Sequence, residues 1–196
     1  KVTGILSKGI HMFAKRYQNK IELQKQTGLY RNPPVVVQRS GKYITVGSQK
    51  ILNFASNDYL GLGDSDRLRQ KVAKNFIKYG SSSSSSRLVS GNCRTLIEAE
   101  QMYADYFGYD ESLFYPSGYQ ANIGIMSTLF GKDDVVIFDK HIHASSIKGL
   151  QLSSANLYGY KHNQMSHLEK RLQKNKEHQP AVITESLFSM DGDLLD

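Results

Sequence analysis

The stretch DVVIFDKHIHASSIKGLQLSSANLYGY, Asp134 to Tyr160, decides the fold of this chain. It begins with a short apolar run, DVVIFD, continues with a helical pattern, HASSIKGLQLS, and ends with a second β-rich run, NLYGY. Apolar strands that alternate with helices are typical of β-α-β units and a largely parallel sheet. The sequence therefore predicts an α/β fold.

The same alternation continues on both sides of this stretch. Strands are predicted at SLFYP and AVITES, and helices at DRLRQKVAKNFIKYG, RTLIEAEQMYADYFG, GYQANIGIMSTLFG and MSHLEKRLQKN. The first two helical patterns each end in a glycine suited to a helix C-terminus. These predicted elements extend over residues 57–196 and form one large domain.

The first 56 residues have a different pattern. Apolar side chains recur at helical spacing among polar ones, which indicates an amphipathic helix; they are Ile10, Phe13, Ala14, Tyr17 and Ile21. Pro33 and Pro34 end this pattern, and three short β-rich runs follow: VVVQRS, KYITV and ILNFAS. We therefore predict that residues 1–56 form an N-terminal helix and a small antiparallel meander.

Six consecutive serines, Ser81 to Ser86, raise the question of a flexible linker. A helical pattern ends just before them, and RLVSGN leads directly into another helix. A tether is usually longer and has no hydrophobic neighbours on both sides, and serine hydroxyls can satisfy backbone groups in a compact turn. We predict an ordered loop inside one domain.

Composition narrows the classes of function. No apolar run approaches the roughly 20 residues that a membrane span needs, so we expect no membrane partner. Cys93 is the single cysteine, which excludes an intrachain disulfide and favours a reducing, cytoplasmic setting. The net charge is +7, but the densest lysine cluster is interleaved with Glu169 and Glu177. A solvated helix face explains that cluster better than nucleic-acid binding does.

Three polar segments follow predicted strands, where parallel sheets bind ligands. In YPSGYQAN, the N–H groups at a helix N-terminus would suit a phosphate, and Gly118 would let a ligand approach the backbone. A plain turn capped by Ser117 is the alternative. In TESLFSMDGD, Glu185 and Ser189 follow an apolar strand, and an ordinary loop is again the alternative.

The segment DKHIHASS contains two histidines. In an extended segment His141 and His143 would face the same side. No cysteine or carboxylate set at convincing spacing completes a ligand shell, so we predict no metal site. A histidine at a strand end can pack over a planar ring or act on protons, and a purely structural histidine is the alternative.

Five motifs together resemble the α-oxoamine synthases: NFASNDYLGL, SRLVSGN, SGYQAN, HASS and TESLFSMDGD, in this order and spacing. The resemblance runs from about Arg31 to Asp193. It implies the cofactor pyridoxal 5'-phosphate (PLP). It also implies the large domain of the aspartate-aminotransferase-like fold, fold type I, with helices on both faces of a mostly parallel sheet.

The resemblance also assigns roles to individual residues. Gly118 and Tyr119 would hold the cofactor's phosphate end, His143 would stack on its ring and steer protons, and Ser189 would bond its ring oxygen. Glu185 would lie at the cofactor, beside the substrate end. Asn57 and Arg31 would meet substrate, and His141 has no role.

The family condenses an amino acid with an acyl-CoA and releases CoA and carbon dioxide. SRLVSGN and SGY-AN resemble the biotin-pathway members, which implies L-alanine and pimeloyl-CoA as substrates and 8-amino-7-oxononanoate as product. A sibling remains open, such as 2-amino-3-ketobutyrate CoA ligase, serine palmitoyltransferase or a signalling-molecule synthase. A non-catalytic regulatory or scaffolding homologue is the alternative from another class. Family enzymes build their sites from two subunits, so a homodimer is expected.

Some positions depart from the family pattern. The serine run replaces a glycine-rich loop, Leu96 stands where a histidine is common, and Gln164 stands where aspartate is usual. The family's Schiff-base lysine, with the aspartate that pairs with the pyridine nitrogen, would lie beyond Asp196. We therefore expect this chain to be the first half of an enzyme and to be inactive alone.

Overall fold

The computed structural model describes residues 2–195, with side chains described for residues 14–195. Lys1 and Asp196, where the predicted segments begin and end, lie outside the described residues, as do the side chains of Ile10 and Phe13. The chain forms two compact units that divide between Ser84 and Ser85. This division falls inside the serine run, which the sequence analysis places within one domain. The division by motif, at residues 56 and 57, stays a prediction.

The first unit contains the predicted helix and meander. Helix α1 is Val2–Gln26, and strands β1 (Val36–Ser40), β2 (Tyr43–Val46) and β3 (Gln49–Leu52) pair antiparallel in the order β1-β2-β3. The β1–β2 turn contains Gly41 at a φ of 54°, a left-handed value that glycine adopts without strain. A 3₁₀ turn, Leu62–Asp64, leads into helix α2, Asp66–Tyr79.

The second unit contains the remaining elements. They are a π-helical turn (Arg87–Gly91), α3 (Arg94–Phe107), α4 (Gly118–Leu129), β4 (Val135–Asp139), α5 (Ala144–Leu152), β5 (Asn156–Tyr160), α6 (Met165–Lys174), a 3₁₀ turn (Lys176–His178) and β6 (Ala181–Ile183). The helices α2 and α3 end at Gly80 and Gly108, as their glycine signals predict.

Strands β4, β5 and β6 form a parallel sheet in the order β5-β4-β6. Val136 on the central strand pairs with Leu157 of β5 on one side and with Ala181 of β6 on the other. The three strands therefore end at the same edge of the sheet. This confirms the predicted parallel α/β architecture.

Alternate residues of β4 face two separate cores. Val136 packs with Ile142, Leu150 and Phe188 on the α4 and α5 side. Val135 and Ile137 pack with Tyr160 on the other side, where the contacts include Leu168 and Leu172 of α6. Burying each large apolar side chain stabilises the fold by about 1.5–3 kcal/mol. Helices thus cover both faces of the sheet, as expected.

The predicted strand SLFYP does not form. The Phe114 N–H donates to Oε1 of Glu100 at 2.8 Å, and the Ser112 hydroxyl donates to the Glu100 carbonyl at 2.6 Å. Strand β4 already has a neighbour on each side. The segment therefore bonds to helix α3 rather than to a strand.

No helix among residues 2–195 is both long and apolar enough to cross a membrane.

Candidate functional site

The strand-end edge of the parallel sheet carries the candidate residues. His143 follows β4, and Glu185 and Ser189 follow β6. Gly118 and Tyr119 begin helix α4, which packs against α5 in the same unit. Ligands bind at this edge in parallel α/β sheets, so the geometry of these segments defines the candidate site.

His143 begins helix α5 and caps it with its own ring. Its Nδ1 accepts the Ser145 backbone N–H at 3.2 Å and lies 2.6 Å from the Ser145 hydroxyl. The Asn122 side-chain amide donates to the same hydroxyl at 2.9 Å. Ser145 is fully buried, whereas His143 is exposed. The imidazole is therefore anchored on its Nδ1 side and open on the opposite side.

Glu185 and Tyr119 both contact His143. The His143 backbone N–H donates to the Glu185 carboxylate, which joins the segment after β6 to the segment after β4. The Tyr119 and His143 rings meet edge to face, with centroids 6.2 Å apart and planes at 80°. The structure thus brings Tyr119, His143 and Glu185 together.

The start of helix α4 has the features of an anion site. Ser117 caps it by accepting the Gln120 N–H at 3.2 Å, which is the cap that the alternative of a plain turn expects. Helix geometry leaves the N–H groups of Gly118 and Tyr119 without an intrahelical acceptor. A Cβ built on Gly118 would meet no atom within 4 Å, so space is open beside this backbone. These residues fit the phosphate of PLP.

Ser189 lies in a turn anchored by its neighbour. The Phe188 N–H donates to the Asp193 carbonyl at 2.9 Å, and the Gly192 N–H donates back to the Phe188 carbonyl at 2.9 Å. Phe188 is buried in the core beside Val136, whereas Ser189 is exposed. Its role at the cofactor ring stays a prediction.

Arg31 and Asn57 belong to the other compact unit. Both residues are exposed there. Their contacts with substrate stay predictions.

A buried cluster that the sequence analysis missed lies beside the candidate site. Asp139, the last residue of β4, is fully buried. One of its carboxylate oxygens accepts the His141 N–H at 2.8 Å and lies 3.0 Å from His162 Nδ1. The other oxygen accepts the Asn163 N–H at 3.0 Å. His162 Nε2 lies 2.7 Å from the Asp193 carboxylate. His162 thus bridges the end of β4 to the loop that carries Ser189.

The charges in this cluster shift the pKa values of its members. Burial alone would raise the pKa of Asp139, but hydrogen bonds from His141, Asn163 and His162 outweigh it and lower that pKa. Burial alone would lower the pKa of His162, but the bonds to Asp139 and Asp193 outweigh it and raise that pKa. The arrangement therefore favours a charged imidazolium between two carboxylates.

His141 and His143 do not act as a pair. His141 stacks on His162, with ring centroids 4.2 Å apart and planes at 12°, whereas His143 meets Tyr119. The expectation that they face one side fails because residues 140–142 form a turn rather than a strand. The aspartate that ends an apolar strand was the available signal for the cluster. Among the described residues, no group of three or more His, Cys, Asp or Glu side chains is arranged to hold a metal ion.

The SRLVSGN motif serves as an anchor in the structure. Arg87 makes two bonds to the Glu100 carboxylate, at 2.6 and 2.8 Å, and two to the Asn92 side-chain oxygen, at 3.0 and 2.9 Å. The hydrogen bond from Arg87, followed by the bond from the Phe114 N–H, lowers the pKa of Glu100. This motif therefore fixes the turn before α3, and Glu100 also holds the segment before Tyr115.

A family model described as aminotransferase class I and II matches residues 49–196, three quarters of the chain. This chain belongs to that family. The matched range includes every candidate site residue except Arg31. The family depends on PLP, which agrees with the fit of the helix α4 terminus to a phosphate.

Curated relatives of the family narrow the resemblance further. The chain is 39% identical over 187 residues to a putative 8-amino-7-oxononanoate synthase of Haemophilus influenzae, covering 92% of this chain and 48% of that protein. It is also 39% identical over 185 residues to the 8-amino-7-oxononanoate synthase of Haemophilus ducreyi, covering 91% and 48%. The chain thus spans about half the length of these relatives.

Solved structures of the family agree with the fold. A serine palmitoyltransferase from S. paucimobilis matches with a TM-score of 0.79 at 28% identity, covering 96% of this chain and 47% of that one. The 8-amino-7-oxononanoate synthase of Francisella tularensis matches with a TM-score of 0.58 at 35% identity, covering 72% and 39%. A further serine palmitoyltransferase structure contains PLP. The resemblance to α-oxoamine synthases and the aminotransferase-like fold are confirmed.

Proposed function

We propose that the full-length protein catalyses the PLP-dependent decarboxylative condensation of L-alanine with pimeloyl-CoA. The product is 8-amino-7-oxononanoate, a precursor in biotin biosynthesis. One observation carries the proposal: Tyr119, His143 and Glu185 meet at the strand-end edge of the parallel sheet, within the family match. The name shared by the relatives at 39% identity supports the choice of substrates.

Each candidate residue has a task in this reaction. Gly118 and Tyr119 bind the cofactor phosphate at the helix α4 terminus, and Ser189 bonds its ring oxygen. His143 presents its open face to the cofactor ring, and Glu185 holds the His143 backbone beside the substrate end. When bound, PLP supplies a conjugated ring that accepts the electron pair from the substrate α-carbon.

The proposal also covers the substrate-binding residues, the substrates and the oligomeric state. Arg31 and Asn57 bind substrate, as the family resemblance assigns. The partners of the protein are an amino acid and an acyl-CoA. We propose a homodimer that acts in the cytoplasm.

Cofactor binding is tested first. Full-length protein purified with PLP is expected to show an absorption band in the visible range that shifts when L-alanine is added. Free PLP with alanine in the same buffer is the control. If the purified protein shows no band, the cofactor assignment is wrong.

Substrate choice is tested by measuring released CoA with a thiol reagent. The likeness to serine palmitoyltransferases favours a second candidate, condensation of L-serine with a long-chain acyl-CoA. A panel that crosses alanine, serine and glycine with pimeloyl-, palmitoyl- and acetyl-CoA separates the two. We expect the highest rate with alanine and pimeloyl-CoA. A PLP-binding protein that releases CoA with none of the pairs would be a non-catalytic homologue.

The role of His143 gives the first residue prediction. His143→Ala removes the ring beside Tyr119, so the rate of CoA release should fall by about 10²-fold or more. His178→Ala is the matched control, because the exposed His178 precedes β6 and lies at the opposite edge of the sheet. Circular dichroism checks that both variants fold. A near-normal rate for His143→Ala contradicts the assignment.

A further inference from the structure

The hydrogen bonds on His143 determine which of its ring nitrogens carries the proton. Nδ1 lies 3.2 Å from the Ser145 backbone N–H, which can only donate. This contact favours a lone pair on Nδ1. In a neutral imidazole the proton is then on Nε2.

A second contact points to the same tautomer. The Asn122 side-chain N–H donates to the Ser145 hydroxyl oxygen at 2.9 Å and occupies one of its lone pairs. The hydroxyl proton remains for donation, and His143 Nδ1 is 2.6 Å away. The hydrogen bonds thus run in one direction: the Asn122 amide donates to the Ser145 hydroxyl, and this hydroxyl donates to the His143 ring.

Packing holds these hydrogen-bonded side chains in place. Ser145 is fully buried, so its hydroxyl cannot exchange its partners for bulk water. Helices α4 and α5 approach closely at Gly149, where an added Cβ would lie 2.8 Å from the Asn122 carbonyl oxygen. The close packing of the two helices therefore fixes the position of Asn122 on α4 relative to Ser145 on α5.

We propose that Asn122 and Ser145 are positioning residues that hold His143 as its Nε2–H tautomer, so that Nε2–H, on the ring edge away from Ser145, donates a hydrogen bond to an oxygen of the bound substrate. The proposal rests on the proposed function, because it requires a ligand beside His143. It adds two residues, Asn122 and Ser145, that fix the position of the proton on the ring. The residues that decide this lie behind the ring and do not touch the ligand.

The tautomer is measured directly in the full-length protein without PLP. Long-range ¹H–¹⁵N NMR of protein labelled at histidine distinguishes a protonated Nε2 from a protonated Nδ1, and the His143→Ala variant identifies the His143 signals. We expect a lone-pair signal for Nδ1 and a protonated signal for Nε2. A protonated Nδ1, or an even mixture of the two tautomers, overturns the proposal. This result is independent of whether the condensation occurs.

Variants separate positioning from mere folding. Asn122→Asp has nearly the same shape, but its carboxylate accepts the Ser145 proton and so reverses the direction of these hydrogen bonds. Ser145→Ala removes the hydroxyl, and Ser146→Ala removes a buried hydroxyl from the next residue of α5 as the control. In Asn122→Asp and Ser145→Ala only the longer contact from the backbone N–H of residue 145, 3.2 Å in the wild type, still engages the Nδ1 lone pair. We therefore expect a larger share of the Nδ1–H tautomer than in the wild type, with kcat about tenfold lower or more and KM within about twofold of the wild-type value. Ser146→Ala should match the wild type.

Two outcomes are decisive for different claims. If Asn122→Asp and Ser145→Ala both fold but keep the wild-type tautomer and kcat, the positioning proposal is wrong, whatever reaction the protein catalyses. If the wild-type protein neither binds PLP nor releases CoA, the proposed function fails, and the NMR result still decides the tautomer.

Discussion

The imidazole of His162 lies between two carboxylates, with Asp139 3.0 Å from one ring nitrogen and Asp193 2.7 Å from the other. Both nitrogens can donate at once only when the ring carries two protons. The Asn163 side chain also donates to Asp193, at 2.9 Å. At the scale of single residues, this charged cluster fixes the loop that carries Ser189 to the end of β4.

We expect the stability supplied by this cluster to depend on pH in two opposite ways. The pKa of His162 is raised, so its contribution is complete below the ordinary value of about 6.5 and is lost as the pH rises through the higher folded-state value. The pKa of Asp139 is lowered, so its contribution is complete above the ordinary value of about 3.8 and is lost as the pH falls through the lower folded-state value.

Urea unfolding of the wild type and of His162→Gln, between about pH 4 and pH 9, tests this dependence. The difference in the free energy of unfolding between the two should be largest on the acid side of neutrality and should shrink as the pH rises. His178→Gln, which changes an exposed histidine, should show no such trend. A difference that stays constant over the range contradicts the charged form of His162.

At the scale of elements, helices α4 and α5 join the two parts of the candidate site. A Cβ on Gly149 would lie 2.7 Å from the Met126 Cβ and 3.1 Å from the Ile123 Cα, so the helices touch through this glycine. Since α4 carries Tyr119 and His143 caps α5, the spacing of the two helices sets the distance between these two rings. The glycine is thus required for the close approach of two backbones.

Gly149→Ala should therefore lower the free energy of unfolding. Overpacking costs about 1–3 kcal/mol, while the better helix propensity of alanine returns about 1 kcal/mol, so we expect a net loss of up to about 2 kcal/mol. Gly131→Ala is the control, because its Cβ would meet only Asp134, at an ordinary 3.7 Å. Thermal unfolding measures both variants. Equal midpoints for the two variants would refute close packing at Gly149.

The sequence predicted those elements whose partners are local. β4, α5 and β5 follow from their hydrophobic periodicity, because α5 is formed by short-range hydrogen bonds and β5 is reached from β4 through this single helix. SLFYP failed because the Glu100 carboxylate, fourteen residues before Phe114, takes a backbone donor that a strand would use. Residue pattern does not report such a side-chain acceptor.

The candidate site divides in the same way. His143 and Glu185 were predicted through the family motifs. A motif identifies residues that meet in the family's fold even when they are far apart in sequence. The pairing of Asp139 with His162 spans 23 residues, and that of His162 with Asp193 spans 31. Each residue alone looks like a strand end, a loop histidine or a turn aspartate. Only the parallel register of the sheet brings them together.

At the scale of the whole molecule, burial is unevenly distributed. Every buried residue among side chains 14–195 lies between Gly91 and Phe188. The unit Lys1–Ser84 therefore has no buried core among its described side chains, although it contains two helices and a complete meander. Helices and small sheets of this kind are marginal without a packed core.

Hydrogen exchange of the chain should report this difference. We expect the amides of β4 and β5, such as Val136 and Tyr158, to exchange at least about tenfold more slowly than those of β2, such as Ile44. Mass spectrometry of peptides from the exchanged chain measures both regions in one sample, so each serves as the control for the other. Equal protection in the two regions contradicts the uneven burial.

His143 both caps helix α5 and places an aromatic ring beside Tyr119, which limits the residues that can replace it. Serine, asparagine or aspartate could start the helix in its place, yet none offers an aromatic surface. Tyrosine or phenylalanine would offer that surface, yet neither would supply the lone pair that Ser145 needs. A substitution here therefore loses either the helix cap or the aromatic ring. We expect a homologue that no longer catalyses the reaction to have a small polar residue at this position.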